Sequence, residues 1–338
     1  MIGRYIKRDD LLAPAMAVLI MLLTLSGGVM SYDGFGSARN LLDLLRENAW
    51  LGIAASGATL VILSGGIDLS VGSMIAFVTV LTAVLIQRQQ LPPWVAIAIA
   101  LGFGACFGAA MGSLIHFYAL PAFMVTLAGL FLLRSSAFAL AEWANPEHVA
   151  NTIGIQNALM MDWAMAGARI GPGVKFSIHG MAMLCFFVVA IVLAHRTILG
   201  RNIYGIGGDE NAARLMGIPI GRTKILVYAI AGFCSAAAGV AVTIAKSSGD
   251  PAGFIGAELD VITAVVIGGT LLQGGSGYLA GTFCGVIIIG LIQSIINFQG
   301  TLAGAWPRII IGSLLLVAIL LQQGLGWVAK RRLAARAV

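Results

Sequence analysis

Residues 60–76 read LVILSGGIDLSVGSMIA, and the polar centre of this segment constrains the fold more than any other feature. Both flanks are apolar enough for a membrane, whereas the centre holds two adjacent glycines, Asp68 and Ser70. Glycine weakens a helix, and a carboxylate is costly in hydrocarbon. A helix broken at membrane depth is stable only where protein or a water-filled cavity surrounds it. Because solute pathways are built from such broken helices, the segment indicates transport.

The composition places this segment in an integral membrane protein. Of the 338 residues, 59% are hydrophobic and 10% are charged. Soluble domains have about 45–50% apolar and about 25% charged residues, so a water-soluble globule is excluded. The apolar runs are long enough for helices rather than barrel strands. We therefore expect an all-α fold with a single transmembrane domain over residues 1–338.

The apolar runs predict about ten transmembrane helices, with a broken or re-entrant helix near residues 64–70. The predicted spans are residues 11–30, 48–64, 69–87, 93–116, 120–140, 178–195, 225–245, 259–273, 277–296 and 307–325. An even number of spans puts both termini on one side. If the termini are cytoplasmic, most Lys and Arg residues lie on the cytoplasmic side. The positive-inside rule therefore predicts cytoplasmic termini. This orientation makes residues 142–177 a periplasmic loop and residues 196–224 a cytoplasmic loop.

Two glycine-rich segments indicate an internal repeat. Residues 62–72 read ILSGGIDLSVG and residues 271–281 read LLQGGSGYLAG, with Gly-Gly and a third glycine at the same spacing. Internal duplication with paired broken segments is typical of transporters. Chance similarity is the alternative, because the chain contains 44 glycines.

Asp68 has two interpretations that are compatible with each other. Aspartate is a strong N-cap residue, and its charge suits the positive end of a helix, so we expect Asp68 to cap a helix that starts at Leu69. The alternative is a polar group that faces the solute pathway. Ser70 is a weaker candidate for either role. We expect Asp68 to be the only acid deep in the membrane, which disfavours a carrier driven by an ion gradient.

Other polar side chains in or next to the predicted spans are candidates for the pathway. Arg134 lies inside a span, where arginine must snorkel, pair or face water. Two interpretations of Arg134 are equally favoured. It either snorkels to the outer interface or has a role in the pathway or its gate. Gln293 and Asn297 are weaker candidates, since neutral amides can both donate to and accept from hydroxylated solutes.

Motifs for catalysis and nucleotide binding are absent from the sequence. There is no G-x-x-x-x-G-K-[ST] loop to hold phosphates, and no catalytic Ser/His/Asp or Cys/His set. The four cysteines and four histidines are scattered, so we expect no metal site. The chain is therefore predicted not to be an enzyme and to hold no cofactor of its own.

The predicted cytoplasmic loop contains the second informative motif, GGDENAARLMGI at residues 207–218. Acidic residues at its start, followed by Gly217 and Pro219, predict a short helix. An ordinary interfacial helix is one interpretation, and a docking helix for a cytoplasmic partner is the other. The residues assigned to this docking role are Gly207, Gly208, Asp209, Glu210, Asn211, Ala212, Ala213, Arg214, Leu215, Met216 and Gly217.

Three stretches together resemble the membrane subunits of bacterial ABC importers for monosaccharides, of the ribose type. They are LVILSGGIDLSVGS (60–73), YGIGGDENAARLMGI (204–218) and ELDVITAVVIGGTLLQGGSGYLAGT (258–282). PAFMVTLAGLFLLR (121–134) and LIQSIINFQGTL (291–302) are most similar to galactofuranose-type permeases within that group. The sequence departs from the family pattern at Ser135, where glycine is usual, and at Tyr278, where a small or polar residue is common.

The resemblance implies a permease subunit located in the bacterial inner membrane. Such subunits pair with a similar second permease, here expected as a heterodimer, and receive sugar from a periplasmic binding protein. Cytoplasmic ATPase subunits, which bind ATP and magnesium, dock on the loop that matches residues 207–217. The function expected is ATP-driven monosaccharide import, with galactofuranose as the candidate sugar. An ATP-independent carrier or channel for small polar solutes is the alternative.

Overall fold

A computed structural model describes residues 12–145, 152–171, 174–300 and 306–320, with side chains from residue 15 onward. In chain order the elements are α1 (Leu12–Ser31), α2 (Ala38–Glu47), α3 (Ala49–Leu63), α4 (Val71–Gln87), α5 (Pro93–Phe117), α6 (Ala122–Ala144), β1 (Ile153–Gly154), α7 (Ala158–Met165), β2 (Gly167–Gly171), β3 (Val174–Ser177), α8 (Ile178–Arg196), α9 (Ile198–Gly208), α10 (Glu210–Leu215), α11 (Ile220–Lys246), β4 (Ser248–Gly249), α12 (Ala257–Ile267), α13 (Leu279–Gln299) and α14 (Trp306–Leu320). Both charged chain ends, which the predicted orientation used, lie outside the described residues.

A helix occupies most of each of the ten predicted spans, but the helices differ in length. By length and composition, α5, α6, α8, α11 and α13 could each cross a membrane. The shorter apolar helices are α1, α3, α4 and α14. Helix α12 has 11 residues and is about 16 Å long, about half the thickness of a bilayer core. The prediction of a helix over residues 259–273 was therefore wrong beyond Ile267.

Helix α11 defines two opposite ends of the molecule. It has 27 residues and a length of about 40 Å, with α10 just before it and β4 just after it. We call these the α10 end and the β4 end. Helix α5 packs along α11 with its backbone in close contact, since a Cβ atom on Gly104 would lie 2.5 Å from the Gly232 carbonyl oxygen. Small residues permit this close approach of two membrane helices.

The β4 end contains short strands that an all-α prediction did not include. Strand β1 pairs antiparallel with β4, and β2 pairs antiparallel with β3. Helix α7 lies between β1 and β2, and Asn157 caps it by accepting from the N–H of Leu159 at 3.1 Å. The described part of the 142–177 loop therefore has ordered secondary structure.

Helix α2 was not predicted, because its ten residues alternate between apolar and charged types and form no long apolar run. Ser37 caps it by accepting from the N–H of Asn40 at 3.3 Å. Leu44 is buried, whereas Arg39, Asp43 and Arg46 are at least 41% exposed and form weak ion pairs along the helix. An amphipathic helix of this kind lies along a surface rather than across a membrane.

Two similar helix–loop–helix units are the main feature of the fold. The first unit is α3, a first loop of residues 64–70, and α4. The second unit is α12, a second loop of residues 268–278, and α13. Helix α3 is apolar on all sides and almost entirely buried, among α8, α11, α12 and α13. The two units also contact each other, since the Thr59 and Thr282 hydroxyl groups are 3.0 Å apart.

The same turn ends the first helix of each unit. Gly65 and Gly269 follow the last helical turn with φ of 81° and 89°. The N–H of each glycine bonds back to the helix at 2.9 Å, and the next N–H does so at 3.0 Å in the first unit and 3.2 Å in the second. This is the Schellman motif, in which the left-handed conformation strongly favours glycine.

Candidate functional site

Residues 209–218 form a compact capped helix at the α10 end. The Asp209 carboxylate accepts from the N–H groups of Asn211 at 2.9 Å and Ala212 at 3.0 Å, and so caps α10. The helix ends where the Gly217 N–H bonds to the Arg214 carbonyl at 3.0 Å. The predicted short helix, with its acidic start and its glycine end, is therefore present.

Helix α10 is attached to its neighbours by one buried residue and one ion pair. Ala213 is fully buried in a small apolar cluster with Ile206 of α9 and Ile220 of α11. The Lys224 ammonium lies 2.8 Å from the Glu210 carboxylate, with the lysine side chain only 19% exposed. Arg214 lies 3.7 Å from the same carboxylate. These contacts fix α10 against both α9 and α11.

The C-terminal end of α10 exposes two large apolar side chains. Leu215 is 91% exposed and Met216 is 69% exposed. Leu215 follows the buried Ala213 by two residues and so lies on the opposite side of the helix, whereas Met216 is the C-cap residue just after it. Exposed apolar side chains on a helix with a fixed position are suited to contact with another protein.

A backbone contact among three glycine-containing segments lies directly behind α10. The Gly275 N–H donates to the Leu63 carbonyl oxygen at 2.9 Å, joining the second loop to the end of α3. A Cβ atom on Gly207 would overlap that same oxygen and would lie 2.5 Å from the Gly275 nitrogen. We call this contact of residues 63–65, 207–208 and 274–275 the glycine joint.

Tyr204 adds a side-chain contact beside the glycine joint. Its hydroxyl donates to the Gly277 carbonyl oxygen at 2.8 Å, which ties α9 to the second loop. The His195 ring lies between the rings of Tyr204 and Tyr278, with centroid distances of 6.2 and 6.1 Å. Neither the joint nor the Tyr204 contact was predicted, since both join residues that are far apart in sequence.

The first loop, which leaves the glycine joint, carries Asp68. This residue is 8% exposed, and its carboxylate accepts from the Ser70 N–H at 2.8 Å and the Ser70 hydroxyl at 2.6 Å. Ser70 is itself the N-cap residue of α4, which begins at Val71. The prediction that Asp68 caps a helix starting at Leu69 was therefore wrong, because the aspartate forms a local turn with Ser70 instead.

Neighbouring helices fix the middle of the first loop. The Thr126 hydroxyl of α6 donates to the Ile67 carbonyl oxygen at 3.1 Å. Gly66 lies against the phenol of Tyr228 on α11, where a Cβ atom would overlap the hydroxyl oxygen. Asp68 and Ser70 thus lie together within a loop that α6 and α11 hold in place.

Arg134 is held by backbone carbonyls in a turn before α12. Its guanidinium donates to Pro251 at 3.0 Å, Gly253 at 2.6 Å and Phe254 at 3.3 Å. Three such bonds fix the turn that connects β4 to α12. The geometry gives Arg134 a structural contact that neither of the two sequence interpretations, snorkelling or a pathway role, had included.

Gln293 and Asn297 lie in a different part of the fold from Asp68. Gln293 is half-buried and Asn297 is exposed, near the end of α13. In this part of α13, Phe298 contacts the rings of Tyr32 and Phe35 at centroid distances of 5.8 and 5.5 Å. Within the described residues, no hydrogen bond connects either amide to Asp68, so these candidates do not form one cluster.

The sequence prediction overlooked a second acid in the interior, Glu258 in the first turn of α12. One of its carboxylate oxygens is buried and has no hydrogen bond within the described chain. It packs over Gly72, where a Cβ atom would overlap it. Asp68 is therefore not the only acid among the packed helices. The acidic pair in GAELD at residues 256–260 was the available signal.

Comparison with known proteins gives matches over nearly the whole chain. The model of the family described as branched-chain amino acid transport system / permease component matches residues 40–319. Identity is 44% over 294 residues to the inner membrane ABC transporter permease protein YjfF of Escherichia coli K12, covering 87% of this chain and 86% of that protein. Identity to the E. coli K12 ribose import permease protein RbsC is 35% over 317 residues, covering 94% of this chain and 95% of that protein. Identity to the fructose import permease protein FruG of Bifidobacterium longum is 31% over 319 residues, covering 94% of this chain and 92% of that protein.

Proposed function

This chain belongs to the family described as branched-chain amino acid transport system / permease component, and we propose that it is the membrane permease of an ATP-driven monosaccharide importer. The description of the family names amino acids as the substrate. The ribose and fructose permeases, which are matched over 94% of this chain, favour a sugar. The fold agrees with transport, since several apolar helices surround two broken units.

Helix α10 is the single observation that carries the ATP-driven part of this proposal. It is capped by Asp209, fixed through Ala213 and Glu210, and presents Leu215 and Met216 to the outside. A partner that pushes such a helix moves α9 and α11 with it. We assign residues 207–217 as the contact for an ATPase subunit, which supplies the site for ATP and magnesium that this chain is expected to lack.

The proposed assembly contains two further partners. A second, homologous permease completes the pathway as a heterodimer, and a soluble sugar-binding protein delivers the substrate. With α10 against the ATPase, the α10 end faces the cytoplasm, and the β4 end receives the binding protein. Both chain termini then lie in the cytoplasm, and the chain crosses the inner membrane several times.

The proposed sugar is a galactofuranose, on the resemblance of residues 121–134 and 291–302 to galactofuranose-type permeases. Asp68 and Ser70 lie beside the proposed pathway, and Asp68 is already occupied with Ser70. Gln293 and Asn297 can donate to and accept from sugar hydroxyls. Few contacts suffice here, because a pathway must release its solute and therefore binds it weakly.

Reconstitution separates this proposal from an ATP-independent carrier. The chain is co-expressed with a candidate ATPase and second permease, purified, and placed in liposomes with the binding protein and radiolabelled galactose, ribose or fructose. We expect uptake only with ATP and only when the ATPase is present. Uptake by the lone chain down a sugar gradient would contradict the proposal. Competition by methyl galactofuranoside, but not by methyl galactopyranoside, is the expected result for ring form.

A further inference from the structure

We propose that the glycine joint transmits the movement of α9 and α10 to both broken units, and that Gly207 and Tyr204 are the positioning residues of this connection. The proposal rests on the ATP-driven function proposed above. It goes beyond docking at α10, since it names the internal contact through which docking acts on the loops.

The joint is suited to transmission because it consists of backbone in direct contact. Gly207 of α9 lies against the Leu63 carbonyl oxygen and the Gly275 nitrogen at once. Gly275 and Leu63 are themselves joined by a hydrogen bond of 2.9 Å. No flexible side chain lies between these segments to absorb a displacement. Closely packed interiors transmit strain rather than damping it.

Both loops begin or turn at this contact. Leu63 is the last residue of α3, so a displacement there shifts the start of the first loop, five residues before Asp68. On the other side, Gly274 lies against Gly65, where a Cβ atom would come within 2.7 Å of the Gly65 nitrogen. The Tyr204 hydroxyl holds the same loop through Gly277 at 2.8 Å. One movement of α9 therefore reaches both loops.

The chain offers a control glycine outside the joint and outside the docking segment. Gly207→Ala adds a methyl group that overlaps the Leu63 carbonyl, whereas at Gly102 on α5 an added Cβ has no atom within 4 Å. Both glycines lie in helices, where alanine is favoured over glycine, so the two replacements share that effect. If the joint transmits movement, only the first variant disturbs it. If the glycines of the joint only allow close packing and transmit no movement, the two variants differ in stability alone.

The test measures sugar import per ATP hydrolysed, with the whole complex in liposomes and galactose as the probe. For the assembled Gly207→Ala complex we expect this ratio to fall about fivefold or more, while Gly102→Ala stays near the wild type. The yield of assembled complex is measured for each variant by size-exclusion chromatography. An assembled Gly207→Ala complex that keeps the wild-type ratio would overturn the proposal.

A second pair keeps the proposal testable if Gly207→Ala fails to assemble. Tyr204→Phe keeps the aromatic ring and removes the hydroxyl that bonds to Gly277, whereas Tyr278→Phe removes a hydroxyl with no hydrogen bond in the described chain. We expect a lower import-to-hydrolysis ratio for Tyr204→Phe only. Equal import-to-hydrolysis ratios for both variants would overturn the proposal that the joint transmits movement, while leaving the proposed function intact. If the wild-type complex imports no sugar with ATP, the proposed function itself fails.

Discussion

The two helix–loop–helix units share a sequence pattern but use their glycines differently. Helix α3 has 15 residues and α12 has 11, although both end in the same Schellman turn. In the sequence repeat, the Gly-Gly of the first loop matches Gly274 and Gly275. In the structure, the first pair ends α3, whereas the matching pair lies in the longer second loop, after an earlier turn at Gly269. The two Gly-Gly pairs therefore match in sequence but have different structural roles.

This difference divides two tasks between the units. The first loop is short and brings Asp68 and Ser70 to the start of α4. The second loop is longer because α12 ends early, and its extra length reaches α9 at the glycine joint and at Tyr204. We infer that the first unit presents polar groups to the pathway and that the second unit connects the pathway to α9 and α10.

The largest expected effect tests the packing within the second unit. A Cβ atom on Gly281 would overlap the Gly268 carbonyl oxygen, and backbone cannot move aside cheaply. We expect Gly281→Ala to cost about 3 kcal/mol or more, at the upper end for overpacking. Gly102→Ala is the control, since a Cβ there meets nothing within 4 Å. Thermal unfolding in detergent measures both. Equal stability of the two variants would refute the close contact of α12 with α13.

The next effect concerns the turn that positions α12, for which the first unit has no counterpart. Arg134→Gln removes a guanidinium that donates to three carbonyls. We expect a loss of about 2–3 kcal/mol in unfolding free energy, because the carbonyls of the turn lose charged donors. Arg88→Gln at the exposed end of α4 serves as the control and should stay within about 0.5 kcal/mol. If both variants unfold alike, the turn is held by something other than Arg134.

Asp68 tests whether the first unit needs a charge or only an acceptor. Asn keeps an oxygen that can accept from Ser70, whereas Ala removes it. We expect Asp68→Asn to keep galactose uptake within about threefold of the wild type and Asp68→Ala to lose about tenfold, as one or two buried hydrogen bonds are lost. Uptake rates in the reconstituted complex are the measurement. Equal loss in both variants would mean that the negative charge itself acts in the pathway.

The smallest effect comes from the ion pair that holds α10. Glu210→Lys places two cations at the contact with Lys224, which is 2.8 Å from the carboxylate in the wild type. A partly exposed pair of this kind contributes about 1 kcal/mol, so a severalfold fall in import per ATP is expected. Adding Lys224→Glu restores opposite charges and should recover most of the ratio. A double variant no better than the single one would show that the pair does not position α10.

Features set by local sequence could be predicted, and those set by distant contacts could not. Apolar runs placed the helices, and Asp209 with Gly217 marked α10 correctly. The start of α4 was misplaced by two residues, because the Asp68 carboxylate bonds to Ser70 in a turn that competes with capping. Arg134 could be recognised as a buried charge, yet its carbonyl partners are more than 100 positions away. The glycine joint joins three distant segments, and no local pattern indicates that contact.

Hydrogen–deuterium exchange on the assembled complex tests the central claim most directly. Amide exchange in residues 64–70, 207–217 and 268–278 is compared between the nucleotide-free state and the state trapped with ATP and vanadate. The account predicts that all three segments change exchange together in the wild type and in Gly102→Ala. In Gly207→Ala, residues 207–217 should respond while the two loops do not. Wild-type loops that stay unchanged while residues 207–217 respond would contradict transmission through the glycine joint.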